Sequence, residues 1–235
     1  MTAVVSTSYW TPPYYLMALE DGKTPSYQYK SKNLIPRISD TQYSGNKRTI
    51  SNRTVADCNG MSSLLPDNDT LESYSFNPTL TSVLRLDTSV QAGKITSQVV
   101  LSEAGQIHVS RNSLYLTSNL WTPYTNNTTT TSPRCAPNTP CVTSLIWNPG
   151  QNGTLIHRFV LDRTNTKYAY SRLIPGSPLS QYSMDEDANQ NFRIVTSEFS
   201  NTQSTRLTIL GSSGTVLGQI TGIAPGENFQ SSRFI

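Results

Sequence analysis

The chain has 235 residues and a formal net charge of +3 from 18 basic and 15 acidic side chains; 14% of residues are charged and 35% hydrophobic. The charges are scattered rather than gathered into a basic stripe or arm, which argues against nucleic acid as a partner. No apolar run approaches the roughly 20 residues that span a bilayer, and no basic segment leads into a signal-type apolar core, so an export signal is expected outside this chain or not at all.

Period-two alternation dominates the chain, and helical periodicity is hard to find. The first strand-like run is "AVVSTS" (Ala3 to Ser8), which leads into Tyr9-Trp10-Thr11-Pro12. A long polar, turn-rich stretch follows from Pro12 to Pro78, read as an excursion with one irregular set of strands. Strand-like runs then recur at Thr81 to Asp87, Gly105 to Ser110, Ser113 to Asn119, Thr154 to Asp162, Asn191 to Glu198 and Thr205 to Leu210. Gly, Asn, Asp and Pro between them supply the backbone angles of tight turns.

The order of strands repeats. One unit runs from "TSVLRLDTS" to "SLYLTSN", the next from "LIHRFVLDRTN" to "NFRIVTSE", and a third begins at "TRLTILGSSG". With the Thr/Pro-rich stretch 122–143 set aside, counterparts recur about every 50 residues, close to the spacing of four-stranded propeller blades. Such a meander cannot bury both faces alone and must stack on neighbours. The expected architecture is therefore an all-β, partial propeller of three to four blades, one domain over 1–235 with loop insertions at about 10–78 and 122–143. On this division "AVVSTS", "LYLTSN" and "RIVTSE" are each the last strand of a blade. Trp10 and Trp121 then leave equivalent strands in the same direction, and Phe199 falls close to the same position.

At "QYSMDEDANQNFRIVTSE" and "LGQITGIAPGENFQSSRF" the chain resembles prokaryotic secreted or surface proteins with a C-terminal β-propeller domain distantly related to WD40 repeats. The resemblance rests on Ser183 to Glu186, Arg193 to Thr196, Gly222 to Glu227 and Ser232 to Phe234, with Ala224-Pro225-Gly226-Glu227 its most specific piece. It extends to "VVSTSY", "TSVLRLD" and "VSRNSLYLTS", so that the chain looks like a central portion of such a protein. It implies the propeller fold, a strand at Ser232 to Phe234 and export to the cell surface or beyond. It carries over no catalytic residue.

The best candidates for contact with a ligand are the aromatics Tyr9, Trp10, Tyr14, Tyr15, Trp121 and Tyr124, flat rings interleaved with Asn and Thr that suit stacking on sugars or a protein contact. The competing reading has each Trp covering the end of its own blade. Asp185, Asp187 and Asn189 fall at the first, third and fifth positions of a calcium-type loop. Gln190 and Thr196 occupy places where an EF-hand needs Gly and Glu, and a hairpin tip suits the stretch better. No metal or other cofactor is expected. His108 and His157 sit in strand-like runs and read as structural, and no nucleophile elbow accompanies them. Glu103, Asp185, Glu186 and Asp187 supply carboxylates for a hydrolase, the alternative reading. Cys135 and Cys141 bracket "CAPNTPC", which favours a loop-closing disulfide over free thiols, and Cys58 stands alone. Five Asn-x-Ser/Thr triplets stand at Asn52, Asn68, Asn126, Asn127 and Asn152.

The function expected is a non-catalytic extracellular or cell-surface binding or scaffold module for a protein or glycan. The alternative is a secreted hydrolase of polysaccharide or peptide. Open blade edges add self-association as an expected property.

Overall fold

The computed structural model describes residues 2–8, 37–54, 61–62, 79–87, 94–121, 152–162, 165–199 and 202–234. They form β1 (Thr2–Ser8), β2 (Arg37–Ser44), β3 (Lys47–Thr54), β4 (Met61–Ser62), β5 (Thr79–Asp87), β6 (Lys94–Leu101) and β7 (Gln106–Val109), then β8 (Ser113–Trp121), β9 (Asn152–Leu161), β10 (Thr166–Pro175), β11 (Met184–Glu186), β12 (Phe192–Glu198), β13 (Ser204–Leu210) and β14 (Val216–Ile223). The one helical element among them is a single 3-10 turn, Gln181–Ser183, whose first turn is capped by the Ser180 hydroxyl accepting from the Tyr182 amide.

Three four-stranded sheets and one hairpin account for these strands. Their orders are β1-β5-β6-β4, β10-β9-β8-β7 and β11-β12-β13-β14, with β2-β3 apart. The second and third sheets are antiparallel meanders. In the first, β1, β5 and β6 run antiparallel, while the two-residue β4 lies parallel to β6. The hairpin β2–β3 and β4 fall inside the 10–78 stretch.

The sheets correct the division of the repeat. The blades are β7 to β10 and β11 to β14, so "SLYLTSN" and "NFRIVTSE" are second strands rather than last ones, and "TSVLRLD" does not open a blade that ends at β8. β1 pairs with β5 as β12 pairs with β13, so the equivalence of the three strands stands while their role changes. Spacing along the chain fixes a period but not its phase. The 122–143 stretch looked like a gap between blades, yet it lies between two strands of one sheet.

The described residues fall into two compact units. One draws on Met1–Leu65, Asn77–Ser118 and His157–Ser171, the other on Pro66–Phe76, Asn119–Ile156 and Arg172–Ile235. The first has its core where Val83 and Val100 meet Leu114, Leu116 and Phe159, with Val4, Ile107, Leu161 and Tyr168 packed around them. Val4, Val83 and Val100 lie on one face because β1–β5 and β5–β6 pair Val4 with Val83 and Thr81 with Val100. Each fully buried side chain of this size contributes roughly 1.5–3 kcal/mol of hydrophobic stabilisation. Arg85 fastens the next turn by donating to the carbonyls of Asp162 and Asn165. Ser102 and Ser118 hydrogen-bond to each other beside the Glu103 carbonyl, which keeps this polar seam satisfied where β6 leads into β7.

In the second unit one face of the β11–β14 sheet is buried through Met184, Phe192, Ile194, Thr196, Thr208 and Leu210, which alternate with half-buried Arg193, Val195, Leu207 and Ile209. At the end of β14 the "GIAPGE" segment forms a tight turn, with φ of 65° at Gly222, 48° at Ala224 and 82° at Gly226. The Gly226 amide donates to the Gln203 carbonyl at 2.7 Å. That left-handed geometry explains Gly226 in the most specific piece of the resemblance, and Gly222 just before it. The strand expected at Ser232 to Phe234 is not formed; residues 228–234 pair with no strand among the described residues, and Phe234 instead lies 4.9 Å beneath the Arg193 guanidinium.

Candidate functional site

Trp121 is the last residue of β8 and Phe199 the first after β12, equivalent places at the ends of two second strands. Trp121 is 50% exposed and Phe199 46%. Their rings lie 6.3 Å apart at 36°, within the range of favourable aromatic pairing. Trp121 stands four residues after Thr117 in "TSNLW" and Phe199 three after Thr196 in "TSEF", so alternation alone does not bring the rings together; the turn of the chain where Phe199 leaves β12 does.

Asn152, only 4% exposed, holds this corner from behind. Its Nδ2 donates to the Ser197 carbonyl at 2.9 Å and the Ser177 hydroxyl at 3.1 Å, and its Oδ1 accepts from the Phe199 amide at 2.8 Å. Its own carbonyl accepts from Gly176 at 2.9 Å. Ser177 and Ser197 bridge as a further antiparallel pair. Gly176 sits at φ 81°, and a Cβ there would stand 2.8 Å from the Ser197 carbonyl oxygen and 2.9 Å from Thr196 Cβ, so only glycine fits this approach. Gln203 donates to the Ser197 hydroxyl at 3.3 Å. The Glu198 carboxylate is ion-paired with Arg206 on the facing strand, and Arg206 also donates to Gln219. Asn152→Ala removes three side-chain hydrogen bonds from a buried corner. It should lower stability by about 2 kcal/mol and weaken the near-ultraviolet circular dichroism of the aromatic pair. An unchanged spectrum would show that Asn152 does not position Phe199.

Asn152 also heads an Asn-x-Thr triplet, but a buried, doubly donating Nδ2 is closed to a glycan in the folded chain. Asn52 on β3 is exposed; Asn68, Asn126 and Asn127 lie outside the described residues.

Of the six candidate aromatics, Trp121 is described; Tyr9, Trp10, Tyr14, Tyr15 and Tyr124 lie outside the described residues, as do Cys58, Cys135 and Cys141. Phe199 and Asn152 were not among the candidates. Phe199 carried a signal in its place after "RIVTSE", whereas Asn152 resembled the many other polar loop residues.

Asp185, Asp187 and Asn189 are placed around a hairpin. Asp187 Oδ1 accepts from the amides of Asn189 at 2.8 Å and Asn191 at 2.9 Å, and its Oδ2 accepts from Asn191 Nδ2 at 3.0 Å. These bonds, first of all that from the Asn191 amide, hold its carboxyl below the usual range. Gln190 at φ 63° completes the turn. Asp185 is ion-paired with Arg193 across the strands. Asp185 and Glu186 are consecutive on β11 and so point to opposite faces. Among the described residues no group of three or more His, Cys, Asp or Glu could hold a metal ion. Glu103 is exposed; its described contacts are made by its backbone carbonyl.

His157 is fully buried on β9, with Nδ1 3.2 Å from the Tyr168 hydroxyl. His108 on β7 faces Tyr115 at a ring distance of 6.2 Å. Both belong to the sheet. No described helix is long and apolar enough to cross a membrane.

No curated protein and no solved structure matches this chain. A family model described as a beta propeller domain matches residues 14–235, almost the whole length, and the four-stranded sheets agree with it: the chain belongs to the beta propeller domain family.

Proposed function

We propose that this chain is a non-catalytic binding and scaffold module of a secreted or cell-surface protein, and that its ligand, a protein or a glycan, is met by aromatic side chains at the ends of the second strands. The observation that carries this reading is the Trp121–Phe199 pair, half-exposed yet held in place through buried Asn152. A ring already ordered loses little entropy on contact, which is how a small aromatic surface contributes strongly to binding. The aromatics of the Tyr9 to Tyr15 and Tyr124 stretches belong to the same proposed rim. Export is supported by the resemblance read from the sequence and by the spacing of Cys135 and Cys141. Self-association through open sheet edges is part of the scaffold role.

The test is a panel of soluble oligosaccharides and extracellular protein domains screened against the chain and its Trp121→Ala and Phe199→Ala variants. Loss of one aromatic anchor of about 2 kcal/mol weakens binding roughly 30-fold, while the thermal melt of each variant stays near that of the parent. Variants that bind as well as the parent, or that unfold, would show that the rings only cover the ends of their strands.

A further inference from the structure

β14 is the edge strand of its sheet, bonded to β13 on one side. It is exposed along almost its whole length, with Val216 at 40%, Leu217 at 60%, Ile220 at 58% and Ile223 at 38%. β10 is the equivalent outer strand of the neighbouring sheet, and its exposed positions are Lys167, Ala169, Arg172 and Pro175. Charge and proline are how an edge strand is kept from pairing. β11, another edge, is three residues long and carries Asp185 and Glu186. β14 has eight residues, "VLGQITGI", with no charge and no proline. Arg206, the charged residue of β13 that reaches Gln219, is already neutralised by Glu198.

The geometry points to β14 as a contact between two copies of this chain, related by a two-fold axis that passes near Ile220. The occupant follows from the strand's character. A charged partner would meet nothing of opposite sign, while a second β14 offers the same neutral, apolar row, and a two-fold contact lets each copy present one surface to itself. Placed antiparallel with Ile220 opposite Ile220, the strand sets Leu217 against Ile223, Gln219 against Thr221 and Gly218 against Gly222. Apolar then meets apolar, and polar meets polar. The open space over the two glycines lets the strands come close. The ladder to β13 shifts register between Thr205 and Leu207 and between Ile209 and Leu210, on both sides of the Gly218 to Ile220 stretch, so backbone pairing is confined to the neighbourhood of Ile220 and the contact is made chiefly by side chains. This deepens the scaffold reading and rests on it, but it does not use the aromatic rim.

The test measures mass by light scattering over a range of chain concentration, with Leu217→Lys, Ile220→Lys, Ile220→Val and Trp121→Ala beside the parent. The expected result is a parent dimer at tens of micromolar that Ile220→Val and Trp121→Ala retain and either lysine variant converts to monomer, with thermal melts matching the parent because both side chains are exposed. In a second measurement Ile220→Cys should cross-link to a dimer with a short bifunctional maleimide beyond the level of the parent, while Ser213→Cys, exposed on the preceding turn, should not. A parent that is monomeric throughout overturns the inference, as do open-ended assembly and a dimer that survives both lysine variants. A dimer dispersed by Trp121→Ala alone overturns it too, since the contact would then lie at the rim. Failure of ligand binding in the Trp121 and Phe199 variants leaves all these outcomes unchanged.

Discussion

Replacing Arg158 with alanine should lower the stability of the chain by about 4 kcal/mol. Arg158 lies in the middle of β9 and is 2% exposed, the largest of the fully buried side chains. Its guanidinium is set between two tyrosines, 5.8 Å from the Tyr115 ring centre and 6.0 Å from that of Tyr170. Its Nε and Nη2 both donate to the Ser113 hydroxyl, at 3.2 and 3.0 Å. Truncation to alanine leaves a cavity, removes a desolvated cation–π contact that is worth about 2 kcal/mol where water is excluded, and strips Ser113 of its donors. Arg158→Met keeps the long stem and should recover about half of the loss, since a well-packed apolar side chain often replaces a buried charge at small cost. Urea unfolding of the three proteins gives the comparison. If the alanine variant loses less than about 1 kcal/mol, the tyrosine-flanked guanidinium is not a supporting element of the sheet.

Arg158 also shows where the sequence stops being informative. In "TLIHRFVLD" the alternation identifies a strand and His157 reads as structural, but nothing in the run marks Arg158. Asn152 to Phe159 are instead all buried, because this strand is covered on both faces and the alternation no longer separates inside from outside. β14 errs in the other direction: "VLGQITGI" has the look of a half-buried strand, and most of it is exposed. The fold class and the equivalence of "VVSTS", "LYLTS" and "RIVTS" were legible, because turn chemistry and period two are local properties. The grouping of strands into sheets was not, since pairing depends on contacts between segments far apart in the chain, and the 122–143 insertion disguised two partners as members of different blades. At the site, Trp121 was legible as an aromatic closing a strand. Asn152, which orients its neighbour, was not, because a keystone amide and a loop amide have the same composition.

The remaining large effect is on pH. His157 is held neutral by burial, which lowers its pKa from 6.5 to about 4. Its Nδ1 meets the Tyr168 hydroxyl, and its Nε2 makes no hydrogen bond among the described residues. Burial pushes Tyr168 up to about 12, with a hydrogen bond from Ser171 acting in the opposite direction. The pair is thus neutral across the whole interval between these values. Below pH 6.5 the unfolded chain takes up a proton at His157 that the folded chain refuses, so folding loses stability as the pH falls toward 4. The full loss is on the order of 3 kcal/mol. Between pH 7.5 and pH 5 it should amount to about 2 kcal/mol, read as a lower urea midpoint. At the other end, stability should fall as pH rises from 10 toward 12, where the unfolded chain releases the Tyr168 proton and the folded chain retains it. The contribution of Asp187 behaves differently: its carboxyl is held below the usual range, so what it adds is lost only at a pH more acid than the histidine window. His157→Leu fills the space with an apolar group that takes no proton, and it should flatten the profile between pH 7.5 and pH 5 while leaving the more acid limb in place. If the parent and His157→Leu lose the same stability over that interval, the acid sensitivity arises elsewhere and the buried imidazole is already accommodated in its charged form.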